Sequence, residues 1–423
     1  MHLSIIPAFM GLSIVHITTS DYGGAGLAAY RLHLSLLERQ INSKMLVVEK
    51  KHNTDTIIPI GHATKPWFVP SQYKCFRIIQ TILRYIGIGR SPIEKYTLIY
   101  RKVKQNHDVF FTFPISDYEV HKHPLVDEAD IIHLHWIENF VDYPSFFNSV
   151  EKPIIWTIHD LNAIYGGFHH AKLRELYLPY YSKLEKYFCK VKKNSIVGKD
   201  NITMVAISNE MYSFLSNHDC YQGKKIELIN NSVSPSDFIR YNEKTIRGEL
   251  GISESIVFLF VCWNLNDSMK GLDIAISALS KLEIRDSILL CVGNGEIPCS
   301  VPKTKRIAPS SDSRQLSKYY SCADFLLFPS LQEGFAQTPL EAMACGTPVV
   351  MTPVSGAKEQ IRNFNGVISK DFSTESFAAA IETAMSRRYD SNQIRHDAIN
   401  RFSHKSIAEK YINIYIQIST NHL

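Results

Sequence analysis

The sequence predicts an α/β protein with two Rossmann-like domains, each built on a doubly wound parallel sheet. Two series of short, strongly apolar strand candidates alternate with amphipathic helix candidates along the chain. Runs this apolar are typical of strands that helices cover on both faces, as in parallel sheets. Each series is long enough for its own sheet, and 423 residues is too long for one ordinary core.

The strand candidates fall into a first group of five and a second group of four. The first group is "LSIVHIT" (12–18), "SKMLVV" (43–48), "DIIHLHW" (130–136), "PIIWTIH" (153–159) and "MVAIS" (204–208). The second group is "IVFLFVC" (256–262), "SILLCVG" (287–293), "DFLLFPS" (324–330) and "TPVVMT" (347–352). Between them, "GLAAYRLHLSLLER" and "SFAAAIETAMSRR" space apolar residues three and four apart, which predicts helices.

The polar stretch 235–250 interrupts the strand series and predicts the domain break. We therefore expect an N-terminal domain over 1–240 and a C-terminal domain over 241–403. The tail 404–423 is expected to form a closing helix, with the option of packing back on the N-terminal domain. Ligands of doubly wound sheets bind outside the carboxyl ends of the strands, so the loops after strands are the place to search for a site.

Composition limits the classes of binding partner and the cellular compartment that fit this chain. The net charge of +5 fits a small anionic ligand or a membrane surface and does not suggest nucleic acid. Eight cysteines without a CxxC pair predict a reduced, cytoplasmic protein. No apolar run reaches the roughly 20 residues of a membrane-spanning helix. Residues 65–106 are basic and apolar with almost no acid, which fits peripheral contact with an anionic membrane or, equally, a solvated helix face.

A glycine-rich loop follows the first strand. Gly23, Gly24 and Gly26 permit a tight turn ahead of a helix, whose N-terminal N–H groups favour an anion. The stretch also satisfies GxGxxA, and Glu49 lies at the end of the next strand, so an NAD(P)-dependent oxidoreductase is an alternative. The intervening residues "TTSDY" weigh against it, because the strand runs straight into the first glycine in that fingerprint.

Histidines occur at the ends of two neighbouring strand candidates. His159 closes a strand and is followed by Asp160, where α/β sheets place active residues. His159 can donate to a sugar hydroxyl or phosphate, or simply bond a backbone carbonyl. His133 and His135 alternate on the preceding strand and share one face, which favours a structural role. We predict no metal site.

Two glutamates eight positions apart stand in "PSLQEGFAQTPLEAMACGTPVV" (329–350). Glu333 lies in a loop after a strand. Thr338 and Pro339 suggest a helix start that points at a diphosphate and carries Glu341 in its first turns. A carboxylate suits the vicinal diol of a ribose or hexose. The alternative is a solvated loop charge at Glu333 and a dipole-favouring charge at Glu341.

This stretch resembles the E-x7-E signature of the retaining GT-B glycosyltransferases, specifically glycosyltransferase family 4. Further stretches follow in family order over nearly the whole chain, among them "VHITTSDYGGAGLAAYRLHLSLL", "IIHLHW", "IIWTIHDL", "LINNSV", "KGLDIAISAL" and "LSKYYSCADFLLFPS". The ordered set resembles most the subgroup that builds bacterial surface polysaccharides.

The resemblance implies a GT-B fold, whose two domains face across a cleft, and an enzyme that transfers a hexosyl or related group with retention of configuration. The donor would be a UDP- or GDP-linked sugar held mainly by the C-terminal domain. The acceptor would be a glycan or lipid-linked glycan on the N-terminal domain. No cofactor or metal is implied. The enzyme would work in the cytoplasm, with the inner face of the cytoplasmic membrane as an option.

The resemblance also assigns roles to matching positions. The catalytic positions are His159, Glu333 and Lys270. The donor-binding positions are Glu341 at the ribose, Gly334, Phe335, Ala336 and Thr338 beside the sugar and diphosphate, Gly23 and Gly24 in the phosphate loop, and Asn264. Asp160 and His135 are acceptor-side candidates, and Asn231 lies in the interdomain connection.

One departure from the family pattern stands out. Many members carry an arginine a few residues before the lysine, whereas this chain has "FVCWNLNDSMKG". Asn264 or Asn266 is a candidate polar substitute. The missing arginine leaves a catalytically silent binding protein of the same fold as a further alternative.

Overall fold

A computed structural model describes residues 11–61, 92–282, 284–297 and 303–421 of the chain. The chain divides into two compact units. The N-terminal unit comprises Met1–Val205, Phe214–Glu227 and Ile418–Leu423, and the C-terminal unit comprises Ala206–Ser213 and Leu228–Gln417. Each unit is built around one sheet.

The N-terminal unit has a seven-stranded sheet in the order β3-β2-β1-β4-β5-β6-β7. Its strands are β1 (Ser13–Ser20), β2 (Asn42–Glu49), β3 (Ile57–Pro59), β4 (Ile131–Leu134), β5 (Ile154–Ile158), β6 (Ile202–Ala206) and β7 (Lys225–Leu228). Its helices are α1 (Gly23–Leu37), α2 (Pro92–Lys104), α3 (Pro124–Glu128), α4 (Tyr143–Ser149) and α5 (Ala171–Ile196), and α6 (Asn209–Ser216) extends across the division between the units. β1 pairs in parallel with both β2 and β4.

The C-terminal unit has a six-stranded sheet in the order β10-β9-β8-β11-β12-β13. Its strands are β8 (Ile256–Asn264), β9 (Ser287–Asn294), β10 (Thr304–Ile307), β11 (Phe325–Phe328), β12 (Val349–Met351) and β13 (Gly366–Ile368). Its helices are α7 (Glu243–Leu250), α8 (Leu272–Leu282), α9 (Ser313–Cys322), α10 (Gln337–Ala344), α11 (Ala357–Gln360), α12 (Thr374–Met385), α13 (Ser391–Phe402) and α14 (His404–Asn421), which ends in the N-terminal unit. The pairings of β8 with β9 and β11 are parallel.

Both strand orders are those of a doubly wound sheet, which confirms the predicted fold class. The chain winds outward from β1 toward β3 and then reverses to β4. In the same way it winds from β8 toward β10 and reverses to β11. Such a reversal opens a crevice outside the carboxyl ends of the two strands where winding changes direction, and ligands bind there.

All nine predicted strands are present, whereas β3, β7, β10 and β13 were missed. The four missed strands are the four sheet edges, three or four residues long each. An edge strand has one pairing partner and one exposed side, so it needs no long apolar run.

Several further predictions can be compared with the described residues. The tail helix forms as α14, while its proposed packing on the N-terminal domain stays a prediction. The described cysteines are free thiols. Within the described ranges, no helix is both long enough and apolar enough to cross a bilayer. The basic segment 65–106 lies largely outside the described residues, and its membrane contact stays a prediction.

Candidate active site

The first site element in the C-terminal unit is the turn after β8. Ser268–Lys270 forms one turn of 3-10 helix, and the Asp267 carboxylate caps it by accepting from the backbone N–H of Met269 at 3.0 Å. Gly271 ends the turn at φ +71°, a left-handed conformation that favours glycine. This geometry places Lys270 at the carboxyl end of β8.

Gly271 also lets this turn approach the end of β11. A Cβ built on Gly271 would lie 2.2 Å from the carbonyl oxygen of Pro329, so a side chain there cannot be accommodated without movement of the backbone. The backbone N–H of Leu331 donates to the carbonyl of Met269 at 2.8 Å. The loops after β8 and β11 are therefore fastened together at the point where the sheet winding reverses.

Lys270 and Glu333 meet across these two loops. The Lys270 ammonium donates to Glu333 Oε1 at 2.8 Å, and the Ser330 hydroxyl donates to the same oxygen at 2.7 Å. Burial disfavours the charged ammonium, but the adjacent Glu333 carboxylate more than offsets this and raises the pKa of Lys270. The Lys270 side chain is 37% exposed, so the cation remains accessible to a ligand.

The loop after Glu333 is fixed by side chains from elsewhere in the unit. Asn231 Nδ2 donates to the carbonyl of Phe335 at 3.0 Å, and Gln360 Nε2 donates to the carbonyl of Ala336 at 2.9 Å. Gly356 packs so closely on Phe335 that a Cβ would lie 2.6 Å from its ring. These contacts hold Gly334, Phe335 and Ala336 in front of α10.

The predicted start of α10 at a Thr338 cap is wrong. The helix begins at Gln337, and the residue at the N-cap is Ala336, whose extended backbone provides no side-chain cap. Pro339 still fits the first turn, since a residue there needs no intrahelical N–H partner. Thr338 therefore belongs to the first turn itself, and its proposed donor contact stays a prediction.

Glu341 lies on α10, on the side that faces α9. It is 7% exposed, and its Oε2 accepts from the Tyr320 hydroxyl at 3.0 Å. The hydroxyl holds one carboxylate oxygen in place, which orients the second. This arrangement suits an acceptor for a ligand diol.

The asparagines proposed to replace the missing arginine have structural partners. Asn264 Oδ1 accepts from the backbone N–H of Asn266 at 3.1 Å. Asn266 Oδ1 in turn accepts from the N–H of Glu296, in the loop after β9, at 3.3 Å. Asn264 and Asn266 are both exposed, so their amide groups have access to solvent while they shape the loop.

His159 and Asp160 directly follow β5 in the N-terminal unit. Burial lowers the pKa of His159 to about 4, with the nearby Asp160 charge acting in the opposite sense. Asp160 Oδ2 accepts from His169 Nδ1 at 2.7 Å and from Trp136 Nε1 at 3.0 Å. Burial opposes ionisation of Asp160, yet His169 and these hydrogen bonds hold the pKa of Asp160 well below its usual range. His159 is therefore neutral and Asp160 is an anion with well-fixed oxygens.

His135 lies buried rather than at the surface of the unit. It is 4% exposed, and its two ring nitrogens face His16 and His159. His133 is also buried, and its Nε2 lies 2.8 Å from the Thr157 hydroxyl. Of the two acceptor-side candidates, Asp160 is therefore the more accessible.

Nitrogen atoms of His16, His133 and His135 lie within 4.8 Å of one another, as in a metal site. The ring of His135 is stacked on those of His16 and His133, whereas the rings of His16 and His133 are tilted to one another. Their pairwise angles are 38°, 29° and 30°, at centroid distances of 5.0, 5.2 and 4.1 Å. His16 Nδ1 lies 3.0 Å from His135 Nε2, a hydrogen-bond distance. The geometry favours hydrogen bonds among the histidines.

The glycine loop opens α1 as predicted. Gly23 is the first helical residue and has φ +74°, and a Cβ on Gly24 would meet open space. Gly26 is constrained differently, because its Cβ would lie 2.4 Å from the carbonyl oxygen of Ser20. Gly26 thus permits close packing of α1 on the end of β1, whereas Gly23 and Gly24 leave the loop open.

Three residues important to this geometry were not singled out from the sequence: Ser330, Gly271 and Tyr320. Ser330 is fully buried and bonds Glu333, and Tyr320 orients Glu341 from another helix. Their partners are distant in sequence, so spacing alone does not identify them. Gly271 could have been identified from the sequence, because a glycine directly after a predicted loop lysine indicates a left-handed turn.

Part of the chain matches a known protein family. Residues 255–387, which include the loops after β8 and β11 and the helix α10, match the family described as glycosyl transferases group 1. Together, the matched region and the pair of doubly wound sheets support a GT-B glycosyltransferase.

Individual relatives and structural neighbours share only a small part of their sequence with this chain. The chain is 25% identical over 343 residues to an uncharacterized glycosyltransferase of Methanocaldococcus jannaschii, covering 75% of this chain and 84% of the relative. Anabaena HepE in complex with UDP and glucose superposes with a TM-score of 0.61 at 15% identity, covering 96% and 99% of the two chains. WaaG, a glycosyltransferase involved in lipopolysaccharide biosynthesis, has a TM-score of 0.60 at 15% identity, covering 95% and 99%. At these identities the structural likeness shows the GT-B fold.

Proposed function

We propose that this protein transfers a sugar from a nucleoside-diphosphate-sugar donor to a glycan or lipid-linked glycan acceptor. The observation that carries the proposal is the contact of Lys270, Glu333 and Ser330 where β8 and β11 end. It combines an accessible cation with a fixed carboxylate at the ligand-binding edge of a doubly wound sheet. The group 1 match over this region supports the same chemistry.

Each group has a role that follows from its chemistry. Breaking the anomeric C–O bond places negative charge on the departing diphosphate, and Lys270 with the N-terminus of α10 stabilises it. Glu333 accepts hydrogen bonds from hydroxyls of the transferred sugar, and the backbone N–H groups of Gly334, Phe335 and Ala336 lie beside it. Glu341 accepts from the donor ribose, with its second oxygen held by Tyr320.

A UDP- or GDP-linked sugar is the proposed donor. The structural neighbour HepE was crystallised with UDP and glucose, which favours UDP among the two. We propose that no metal ion takes part, because Lys270 supplies the positive charge that a metal would otherwise bring to the diphosphate. Full activity after treatment with a chelator is the expected result.

Retention of configuration by front-face transfer completes the proposed mechanism. His159 is neutral and suits donation of a hydrogen bond to the sugar. Trapping of a covalent glycosyl-enzyme intermediate would contradict the front-face mechanism. Product stereochemistry, read by proton NMR at the new anomeric centre, tests retention itself.

We place the reaction in the synthesis of a bacterial surface polysaccharide such as O-antigen, capsule or exopolysaccharide. The likeness to WaaG, which is involved in lipopolysaccharide biosynthesis, supports this assignment. The acceptor would bind on the N-terminal unit near Asp160, in the cytoplasm or at the inner face of the membrane.

The decisive experiment is a thermal-shift screen with UDP, GDP, ADP, CMP and NAD, using the purified protein and two variants. Glu341→Ala removes the proposed ribose contact, and Glu382→Ala removes an exposed carboxylate on α12 as the matched control. One nucleoside diphosphate should raise the melting temperature of the wild type and of Glu382→Ala, and much less that of Glu341→Ala.

The outcomes separate the competing activities. Stabilisation by NAD alone would replace the proposal with an oxidoreductase. Nucleotide binding without turnover of any sugar donor would indicate a silent binding protein of the same fold. Equal stabilisation of both variants would remove Glu341 from the donor site.

A further inference from the structure

A row of three histidines ends at His159 in the N-terminal unit. His16 Nδ1 lies 3.0 Å from His135 Nε2, and His135 Nδ1 lies 3.3 Å from His159 Nε2. His16 lies on β1, and His135 and His159 directly follow β4 and β5, so the three rings come from three neighbouring strands of the sheet. The row therefore connects the interior of the sheet with the residue at its carboxyl edge.

All three imidazoles are neutral. Burial lowers the pKa of His16 and of His135 well below the ordinary value, and neighbouring histidines lower both further. A neutral imidazole has one N–H and one lone pair. Each of the two contacts therefore needs one donor and one acceptor, and the row has only two consistent proton arrangements.

The two arrangements run in opposite directions. In the first, His16 donates from Nδ1 to His135, and His135 donates from Nδ1 to His159 Nε2. His159 then carries its proton at Nδ1. In the second, His159 donates from Nε2 to His135, and His135 donates from Nε2 to His16. His16 then carries its proton at Nε2.

The inner end of the row decides between them. His16 is fully buried, and its Nε2 has no hydrogen-bond partner among the described residues. The second arrangement would leave an N–H group at this atom without an acceptor, which is rare in buried positions. The first arrangement leaves a lone pair there, the milder defect, since unsatisfied acceptors are more common than unsatisfied donors.

We propose that His16 and His135 are positioning residues that hold His159 in the tautomer protonated at Nδ1. Because Nε2 of His159 accepts from His135, the Nδ1–H group is the one left to act on a substrate. In the proposed function, on which this inference rests, it donates to a hydroxyl of the transferred sugar. The row thus determines whether His159 meets that hydroxyl as a donor or as an acceptor.

The first test is the tautomer of His159 in the ligand-free protein, which is independent of any activity. Long-range ¹H–¹⁵N correlation spectra of histidine-labelled protein distinguish the protonated from the unprotonated ring nitrogen. The His159→Gln spectrum identifies the His159 signals by difference. We expect Nδ1 to be protonated and Nε2 to be unprotonated, and protonation at Nε2 would overturn the inference.

Two variants of His135 sharpen the test. The asparagine amide lies where Nδ1 of histidine lies, so His135→Asn can still donate to His159. The glutamine amide reaches the position of Nε2, so His135→Gln keeps the contact to His16 and loses the one to His159. The Nδ1-protonated tautomer should persist in His135→Asn and become mixed in His135→Gln.

The matched control is His33→Gln. His33 is another buried histidine of the same unit, and it bridges the hydroxyls of Ser43 and Thr56 at 2.7 and 2.9 Å. The His33 ring lies edge-on to His16 with 6.0 Å between the ring centroids, so its variant perturbs packing beside the row while both hydrogen bonds of the row stay in place. The His159 tautomer should stay as in the wild type, and a change equal to that in His135→Gln would assign the effect to general packing.

Turnover provides the functional measurement. Loss of one neutral hydrogen bond should lower kcat/KM about 2- to 13-fold in His135→Gln, with UDP affinity unchanged and most of the rate recovered in His135→Asn. A wild type with the expected tautomer but no nucleotide binding would sink the proposed function alone. Identical tautomers in both His135 variants, or a stoichiometric metal ion bound to the row, would sink this inference alone.

Discussion

Lys270 and Glu333 form an ion pair that can stay intact when a diphosphate binds to Lys270. The ammonium group has three N–H donors and gives one to Glu333, and Ser330 gives a second donor to the same carboxylate oxygen. A bound phosphate can therefore use the remaining donors of Lys270 while Glu333 keeps its position. The ion pair therefore holds Lys270 ready for the anionic diphosphate of a sugar donor and Glu333 ready for its neutral sugar.

Removing the lysine should weaken diphosphate binding selectively. We expect Lys270→Ala to lose about 10- to 150-fold in UDP affinity, equivalent to one charge-assisted hydrogen bond of about 1.5–3 kcal/mol. Uridine, which lacks the diphosphate, should bind both forms equally. Isothermal titration calorimetry gives both values. Lys281→Ala, which removes a surface lysine paired with Glu375, should leave UDP affinity unchanged, and an equal loss there would contradict the assignment.

Several central strands of the two sheets are much longer than any edge strand. Central strands such as β1, β8 and β9 have eight or nine residues and strongly apolar sequences, so the sequence predicts them directly. The edge strand β10 reads "TKRI" and β7 reads "KIEL", and neither carries a run long enough to identify. Tertiary pairing alone makes them strands.

Prediction of the candidate site from the sequence is limited in the same way, because contacts between distant residues are not visible in it. Glu333, Lys270 and His159 follow predicted strands, so their general location was accessible from the sequence. Tyr320 and Ser330 bond their glutamates through the fold, and the role of His135 beneath His159 depends on three adjacent strands. Pairing across a sheet is a property of strand order, which spacing along one chain does not contain.

The junction between β8 and β11 should tolerate no side chain at Gly271. Gly271→Ala combines the left-handed backbone cost of about 1–2 kcal/mol with a clash against the Pro329 carbonyl. Gly251→Ala is the matched control, since Gly251 has φ +62° and a Cβ there would meet nothing within 4 Å. Scanning calorimetry should show a larger fall in melting temperature for Gly271→Ala, together with loss of UDP stabilisation. Equal falls would mean that the close approach is unimportant.

Because of its buried histidines, the N-terminal unit is expected to be less stable in acid than the C-terminal unit. Burial lowers the pKa of seven described histidines in the N-terminal unit. The pKa falls to about 4 for His33 and His159, and it is also lowered for His16, His123, His133, His135 and His218. The stretches that form the C-terminal unit contain two histidines in sequence, His396 and His404. Below the unfolded pKa of about 6.5, the unfolded N-terminal unit takes up protons that its folded form excludes.

The N-terminal unit should therefore lose stability first as the pH falls. Between about pH 6.5 and 4, each such histidine lowers the free energy of unfolding by up to about 1.4 kcal/mol per pH unit. Hydrogen exchange at pH 7.5 and 5.5, corrected for intrinsic rates, should show loss of protection in β1 and β4 while β8 and β9 keep theirs. Simultaneous loss in all four strands, or earlier loss in β8 and β9, would refute this prediction.

Trp263 ends the apolar run of β8 and is 67% exposed, seven residues before Lys270. Of the three other tryptophans in the chain, Trp156 is almost completely buried, at 2% exposure. The molecule thus carries its own fluorophore at the carboxyl edge of the C-terminal sheet. Nucleotide binding can be followed there by emission of the unlabelled protein, with Trp263→Phe as the blank, so that titrations and stopped-flow kinetics require no added dye.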